Sequence, residues 1–154
     1  MDKVLVIGVG NPYRRDDGVG VVVIDRLRQQ DHLNIEVFEE SGEPAALIAR
    51  WTGHPFVIMI DAVTSGAPPG TIARIECSNG TWQQGTSVSA ASTHGLGIAD
   101  AVELGGVLKR LPERLLIFGI ESADVSNGRG LTSAVAAAVD DVVRAIADET
   151  GATA

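Results

Sequence analysis

The side chains that could do chemistry in this chain are carboxylates and a few imidazoles, and they gather in short stretches. Asn11-Pro12-Tyr13-Arg14-Arg15-Asp16-Asp17-Gly18 follows the first apolar run. Glu39, Glu40 and Glu43 follow the second run, Asp61 closes the third, Glu121 follows a later one, and His94 opens a helical stretch. Carboxylates crowded together raise one another's pKa unless a cation intervenes. A histidine with carboxylates and no thiolate suits a divalent transition metal with open coordination positions. Cys77 is the single cysteine, which excludes an internal disulfide and any multi-cysteine metal cluster. No basic residue lies beside it in sequence to activate it, so it reads as a small strand residue rather than a nucleophile.

These candidates are far apart along the chain, so secondary structure must bring them together. Lys3–Gly8 (KVLVIG) reads as a buried parallel strand. Gly18–Gln29 has helical apolar spacing at Val19, Val22, Val23 and Leu27. Asn34–Glu39 alternates as strand two, Pro44–Trp51 is a short helix with proline in its first turn, and Phe56–Asp61 is strand three. Thr71–Cys77 is strand four, and Ser78–Thr93 is a polar loop. His94–Leu111 is a helix ended by Pro112, and Arg114–Gly119 is strand five. After a loop over Ile120–Leu131, Thr132 caps a last helix whose stripe is Val135, Val139, Val142, Val143 and Ile146. Gly151–Ala154 is a tail expected to fray, leaving residues 1–150 as one domain.

Alternating strands and helices predict an α/β fold with helices on both faces of a mostly parallel five-stranded sheet. The connection Ala62–Gly70 is too short for a parallel crossover, so strand four is expected to run antiparallel to strand three at a sheet edge. In open α/β sheets, sites form beyond the carboxyl ends of the parallel strands. The 11–18 stretch, Glu39, Glu40, Glu43, Asp61 and Glu121 all fall there. The helix opened by His94 must run back down the sheet to feed strand five, which puts its start at the same edge. One imidazole and several carboxylates are therefore expected on one rim.

The bulk composition narrows the partners. The 154 residues carry 12 Lys plus Arg and 20 Asp plus Glu, a net charge of −8. Nucleic acid needs a basic footprint, so it is not expected as a partner. Hydrophobic residues make up 45%, which suits a packed globule rather than a disordered chain. No apolar run reaches the length of a membrane span, and the N-terminus lacks the features of a signal peptide. A cytoplasmic monomer that touches no membrane is the simplest expectation.

Each candidate also has a plainer reading. Gly8-x-Gly10 could be half of a dinucleotide fingerprint, but Tyr13 stands at the third glycine position and the next acidic residues come about 30 residues on rather than about 20. Asp16 and Asp17 could cap the following helix. Asp61 could be a turn former, His94 a loop or cap residue, and Arg14 and Arg15 solvated charges or a docking point for a partner. His32 and His54 sit in polar turns and receive no role.

Taken together, the segments resemble the hydrogenase maturation endopeptidases, which trim the C-terminal extension from the large subunit of nickel–iron hydrogenases. Gly8-Val9-Gly10-Asn11-Pro12-Tyr13-Arg14-Arg15-Asp16-Asp17-Gly18-Val19-Gly20 is similar to the family's opening segment. Ile60-Asp61-Ala62, Ser92-Thr93-His94-Gly95-Leu96-Gly97-Ile98-Ala99-Asp100, Gly119-Ile120-Glu121 and Gly130-Leu131-Thr132 resemble its later segments, in order. The resemblance implies a three-layer α/β/α sandwich. It also implies a nickel-recognising site of two carboxylates and one histidine, at Asp17, Asp61 and His94 here. Three departures are visible: Asp17 where relatives often have Glu, Gly95 where Gln often follows the histidine, and Ser41-Gly42-Glu43-Pro44 in place of a glycine-and-threonine stretch.

On that footing the expected activity is endoproteolysis of a precursor large subunit whose nickel already sits on cysteines. Asp17, Asp61 and His94 would complete the metal's shell, with Asp16 orienting a ligand or serving as base. The metal could polarise the scissile carbonyl or activate a water. Two carboxylates and one imidazole leave the shell incomplete, so the free enzyme is expected to hold nickel weakly. The rival readings are a metal-dependent hydrolase of a small substrate, a nickel-sensing or chaperone module that binds without cutting, and a nucleotide-binding regulatory domain.

Overall fold

The computed structural model describes residues 3–30, 34–82 and 98–151. The segment 83–97, with His94 and its motif up to Gly97, lies outside the described residues, as does His32.

Six strands form one sheet in the order β2-β1-β3-β6-β4-β5. They are β1 (Val4–Val9), β2 (Ile35–Glu40), β3 (Phe56–Val63), β4 (Ile72–Ser78), β5 (Thr81–Trp82) and β6 (Arg114–Glu121). The four strands β2, β1, β3 and β6 are parallel. β1, β3 and β6 are buried along nearly their whole lengths, as central parallel strands covered on both faces must be.

The period-two alternation divides those strands between two cores. Val6, Ile58, Ile60, Leu116 and Phe118 pack under α1 (Val19–Arg28) and α4 (Ser133–Thr150). Leu5, Ile7, Val57, Met59 and Ile117 face α2 (Pro44–Trp51) and α3 (Ala99–Val107). The result is the expected three-layer α/β/α sandwich.

Strand four runs antiparallel as expected, but its neighbour is β6, not β3. β4 pairs with β6 from Ile72↔Ile120 to Ser78↔Arg114, while β6 pairs in parallel with β3 along its full length. The short connection fixes the sense of β4 without fixing its place. Two strand spacings of about 4.8 Å are easily crossed by a loop of that length. The loop passes over the end of β6, where Gly70 N–H donates to the Glu121 carbonyl and Glu121 N–H to the Thr71 carbonyl, both at 2.8 Å. β5 adds a two-residue strand outside β4, within the stretch read from sequence as loop.

α3 also ends earlier than Pro112 would require. Gly105 lets the Trp51 indole lie against the helix, since a Cβ there would stand 2.9 Å from the ring. The indole N–H donates to the Arg110 carbonyl at 2.7 Å. Lys109 turns into the left-handed region at φ 55°, so the chain leaves the helix at the amino edge of the sheet. α3 therefore starts at the carboxyl edge, directly after the segment that contains His94.

Candidate functional site

β1 leads through α1 to β2 on one side, whereas β3 pairs on the other side of β1. The strand order thus reverses between β1 and β3. A crevice opens beyond the carboxyl ends of two strands at such a point, and open α/β sheets bind ligands there. Asp17 lies in the turn after β1, and Asp61 lies within β3, which continues two residues beyond it to Val63 instead of closing at Asp61 as the sequence suggested, because Ala62 and Val63 still pair with β6.

Asp17 belongs to a 3-10 turn, Arg15–Gly18, that leads into α1. Gly10 allows the turn to fold back on the strand end: its φ is +137°, and a Cβ there would collide with the Asp17 carbonyl. The Asp17 Oδ2 then accepts the Asn11 N–H at 2.9 Å. Gly20 performs the second close approach. A Cβ on it would stand 2.6 Å from the Ile60 carbonyl, so the first turn of α1 sits directly on the residue before Asp61. Asp61 is 2% exposed. It alternates with Ile60 and so belongs to the face covered by α2 and α3, whereas α1 covers the other.

Asp16 has a different fate from its neighbour. It is fully buried. Its Oδ2 accepts from Ala123 N–H (2.9 Å), Asp124 N–H (3.0 Å) and the Thr132 hydroxyl (2.8 Å), and its Oδ1 from Thr132 N–H (2.7 Å). Burial alone would raise this carboxyl, but the bonds from Thr132, Ala123 and Asp124 outweigh it and hold the pKa below the usual carboxylate range. An oxygen pair this fully engaged has little capacity left for a metal or a proton. Of the two roles read from sequence, base or orienting group, the geometry fits the second.

The same contacts redirect Thr132. It does stand at the N-cap of α4, but its hydroxyl makes no capping bond and goes to Asp16 instead. Neither Asp16 nor Asp17 caps α1, whose N-cap is Gly18.

The remaining rim carboxylates are also structural. Glu121, 3% exposed, accepts the Ser65 N–H (2.9 Å) and hydroxyl (2.5 Å), which ties down the loop after β3. Glu43 is the N-cap of α2 and accepts from Ala45 and Ala46 N–H. Glu40 takes two bonds from the Arg50 guanidinium at 3.0 and 2.8 Å, and Glu39 pairs with Arg28 at 3.3 Å. The cap role of Glu43 was legible in principle, because an acidic residue stands immediately before a proline at the first helical position.

Among the described residues, no group of three His, Cys, Asp or Glu side chains could hold a metal ion. Asp17 and Asp61 are two donors, and His94 lies outside the described residues. Cys77 is buried, and burial pushes its thiol pKa up against a weaker opposing bond from Gly80 N–H, the reverse of what a nucleophile needs. The backbone donors that would cradle a nucleotide phosphate after β1 are already used. Gly10 N–H donates to the Glu40 carbonyl at 3.0 Å, Asn11 N–H to Asp17, and Tyr13 N–H to Asn11 Oδ1. Beside this loop an open cleft of about 430 Å³ runs between Pro12, Tyr13 and Val21 on one side and Glu39, Glu40 and Ser41 on the other.

The family model described as hydrogenase maturation protease matches residues 21–149. A hydrogenase expression/formation protein HupD of Thiocapsa roseopersicina is 25% identical over 83% of this chain, which spans 58% of that relative's length. The HupD of Rhizobium leguminosarum bv. viciae is 24% identical over 94% of this chain and 74% of its own length. The hydrogenase 2 maturation protease of Escherichia coli is 25% identical over 94% of this chain and 88% of its own. Among solved structures, the hydrogenase maturating endopeptidase HybD from E. coli superposes with a TM-score of 0.75 at 21% identity, covering 97% of this chain and 94% of that one.

Proposed function

The chain belongs to the hydrogenase maturation protease family, and from that premise we propose that it is the endopeptidase that removes the C-terminal extension of a nickel–iron hydrogenase large-subunit precursor already loaded with nickel. Asp17 and Asp61, together with His94, face the nickel carried by the substrate. They locate the scissile bond by completing the metal's ligand shell. The enzyme works as a monomer in the cytoplasm; among the described residues no helix is long and apolar enough to cross a membrane.

The observation that carries this reading is the close contact of the first turn of α1, at Gly20, with β3 at Ile60, the residue before Asp61. Gly10 and Gly20 allow close backbone approaches that seat the turn carrying Asp17 and the first turn of α1 against the sheet, which supports a site formed there with Asp61; Asp16, Glu40, Glu43 and Glu121 are tied into the fold by the protein's own donors. Oxygen donors offered by a rigid turn and a strand end suit a metal that arrives with part of its shell filled. The nickel, when present, supplies Lewis acidity at the scissile carbonyl or at a water. This chain's residues position it: Asn11 N–H orients Asp17, and the Asp16 bonds fix the turn. The open cleft beside the turn fits a polypeptide better than an enclosed small substrate.

The test is to incubate the protein with nickel-loaded precursor and with metal-free precursor, then weigh both products. Loss of a C-terminal fragment from the nickel-loaded form alone is expected. An unchanged mass in both would leave a binding module, and cleavage of the metal-free form would remove nickel from recognition.

A further inference from the structure

Glu121 is 3% exposed, and the proposed chemistry does not use it. Its carboxylate accepts the Ser65 N–H at 2.9 Å and the Ser65 hydroxyl at 2.5 Å. Ser65 itself is exposed, so water could satisfy both donors without Glu121. Burying a carboxylate is costly even when it is hydrogen-bonded. What Glu121 adds against that cost is a fixed position for the chain that leaves β3.

The same stretch of chain, residues 121–124, touches both segments that carry the aspartates of the site. On one side is β3, which contains Asp61. Val63 pairs with Glu121, and Ser122 N–H donates to the Val63 carbonyl at 2.9 Å. On the other side is the turn that contains Asp17. Ala123 and Asp124 N–H donate to Asp16 at 2.9 and 3.0 Å, and Asp16 N–H donates back to the Asp124 carbonyl at 3.0 Å. Asp17 comes next in the chain, and its Oδ2 accepts the Asn11 N–H at 2.9 Å. Glu121 is also held through its main chain, which exchanges bonds of 2.8 Å with Gly70 and Thr71 at the entry to β4. The end of β6 is therefore the common reference of β3 and the Asp17 turn, and the Glu121 carboxylate is its buried anchor.

We propose that Glu121 is a positioning residue for the cleavage reaction: by tying the chain after β3 to the end of β6, it sets the placement of the Asp17 turn relative to β3, through Ala123, Asp124 and Asp16. This rests on the reading of Asp17 and Asp61 as nickel-facing residues. In this role Glu121 acts through Asp17 and not on the scissile bond. A displaced turn misaligns the metal and the bond to be cut while leaving the surfaces that bind the precursor in place. The effect therefore falls on kcat rather than on KM.

The experiment titrates full-length nickel-loaded precursor with wild type, Glu121→Ala, Glu121→Gln, Ser65→Ala and Glu76→Gln, well below every thermal midpoint. Glu76→Gln is the control for lost stability, because Glu76 joins the same two strands, β4 and β6, at the opposite end of β6, where it accepts from Arg114. Glu121→Ala is expected to lower kcat about tenfold or more with KM within about twofold, since small misplacements remote from the chemistry cost rate. Glu121→Gln keeps an oxygen for the Ser65 N–H and should recover part of the rate. Ser65→Ala should lower kcat less, with no further effect in the Glu121→Ala background, and Glu76→Gln should keep the wild-type kcat. In NMR spectra the amide resonances of Asp16 and Asn11 should shift in Glu121→Ala and stay in place in Glu76→Gln. A wild-type kcat in Glu121→Ala would overturn the proposal and leave the endopeptidase reading standing. If wild type itself fails to cut, that reading falls, and the amide resonances decide the positioning role: unshifted Asp16 and Asn11 signals in Glu121→Ala overturn it. If Glu121→Ala does not fold, Glu121→Gln and Ser65→Ala carry the same comparisons.

Discussion

Thr132 closes on Asp16 with two bonds, its backbone N–H at 2.7 Å and its hydroxyl at 2.8 Å, although 116 residues separate them. The start of the last helix thereby holds the turn that presents Asp17. Asp16 N–H completes the clamp by donating to the Asp124 carbonyl at 3.0 Å.

Thr132→Val should therefore lower stability and activity together. It removes one hydrogen bond to a buried charged group, a loss of about 1.5–3 kcal/mol. Urea denaturation should show the loss, and Thr132→Ser, which keeps the hydroxyl, should recover most of it. A Val variant as stable as wild type would mean that the clamp does not restrain the turn.

Asp17→Ala and His94→Ala should fold normally yet fail to process nickel-loaded precursor. Asp17 makes one bond to Asn11 N–H and is only partly buried, so its stability cost should stay within about 1–2 kcal/mol. A rim histidine acting as a ligand has little packing role, so His94→Ala should cost no more than about 1 kcal/mol. Circular dichroism and precursor mass spectrometry on the same samples check both. A folded and fully active variant would remove that residue from the site.

Gly20→Ala should be costly even though alanine favours helices. The new Cβ would stand 2.6 Å from the Ile60 carbonyl, so α1 must shift off the sheet, an overpacking cost of about 1–3 kcal/mol. Because the shift also displaces the turn that carries Asp17, cleavage should fall more than stability accounts for. Normal kinetics in this variant would mean that this contact does not position Asp17.

Acid should destabilise the fold through Glu76. Its bonds from Arg114, opposed by burial and aided by Arg74 and Ser78, hold its carboxyl below the usual range. Such a group contributes stability that is complete above its unfolded pKa, about 4.3, and is lost as pH falls through the lower folded value. Asp16 acts in the same direction, with its unfolded pKa near 3.9. Stability against urea should thus be flat with respect to these two groups above pH ~5 and fall below ~4. Glu76→Gln should be less stable than wild type at neutral pH and show a shallower acid limb. An unchanged acid limb would show that the network of Arg114, Arg74, Glu76 and Glu149 adds nothing.

After dialysis the free enzyme should retain far less than one equivalent of nickel. Asp17, Asp61 and His94 would make an incomplete oxygen-and-nitrogen shell, which thiolate sites elsewhere outcompete. Metal analysis of the purified protein is the check, and stoichiometric retention would contradict a substrate-borne metal.

Much of the architecture was legible along the chain because periodicity is local. The apolar runs around Val6, Ile58 and Leu116 marked parallel strands, and the stripe from Val135 to Ile146 marked the last helix, since each pattern is set by the neighbours that share its face. The carboxyl edge as the place for the 11–18 turn and Asp61 followed from the alternation of strands and helices along the chain. The place of β4 beside β6 was not legible, because loop length limits reach without naming a neighbour.

Nor could local rules separate Asp16 from Asp17; only the resemblance to a family gave them different roles. They are adjacent and chemically identical, and local rules offered both the same helix-capping role. Only the folded chain brings Ala123, Asp124 and Thr132 onto one of them and Asn11 onto the other. The physical reason is that a carboxylate's role depends on which donors reach its oxygens. Here the donors to Asp16 come from a loop more than a hundred residues away, and their arrival depends on the packing of α1, β3 and β6 rather than on any pattern around residue 16.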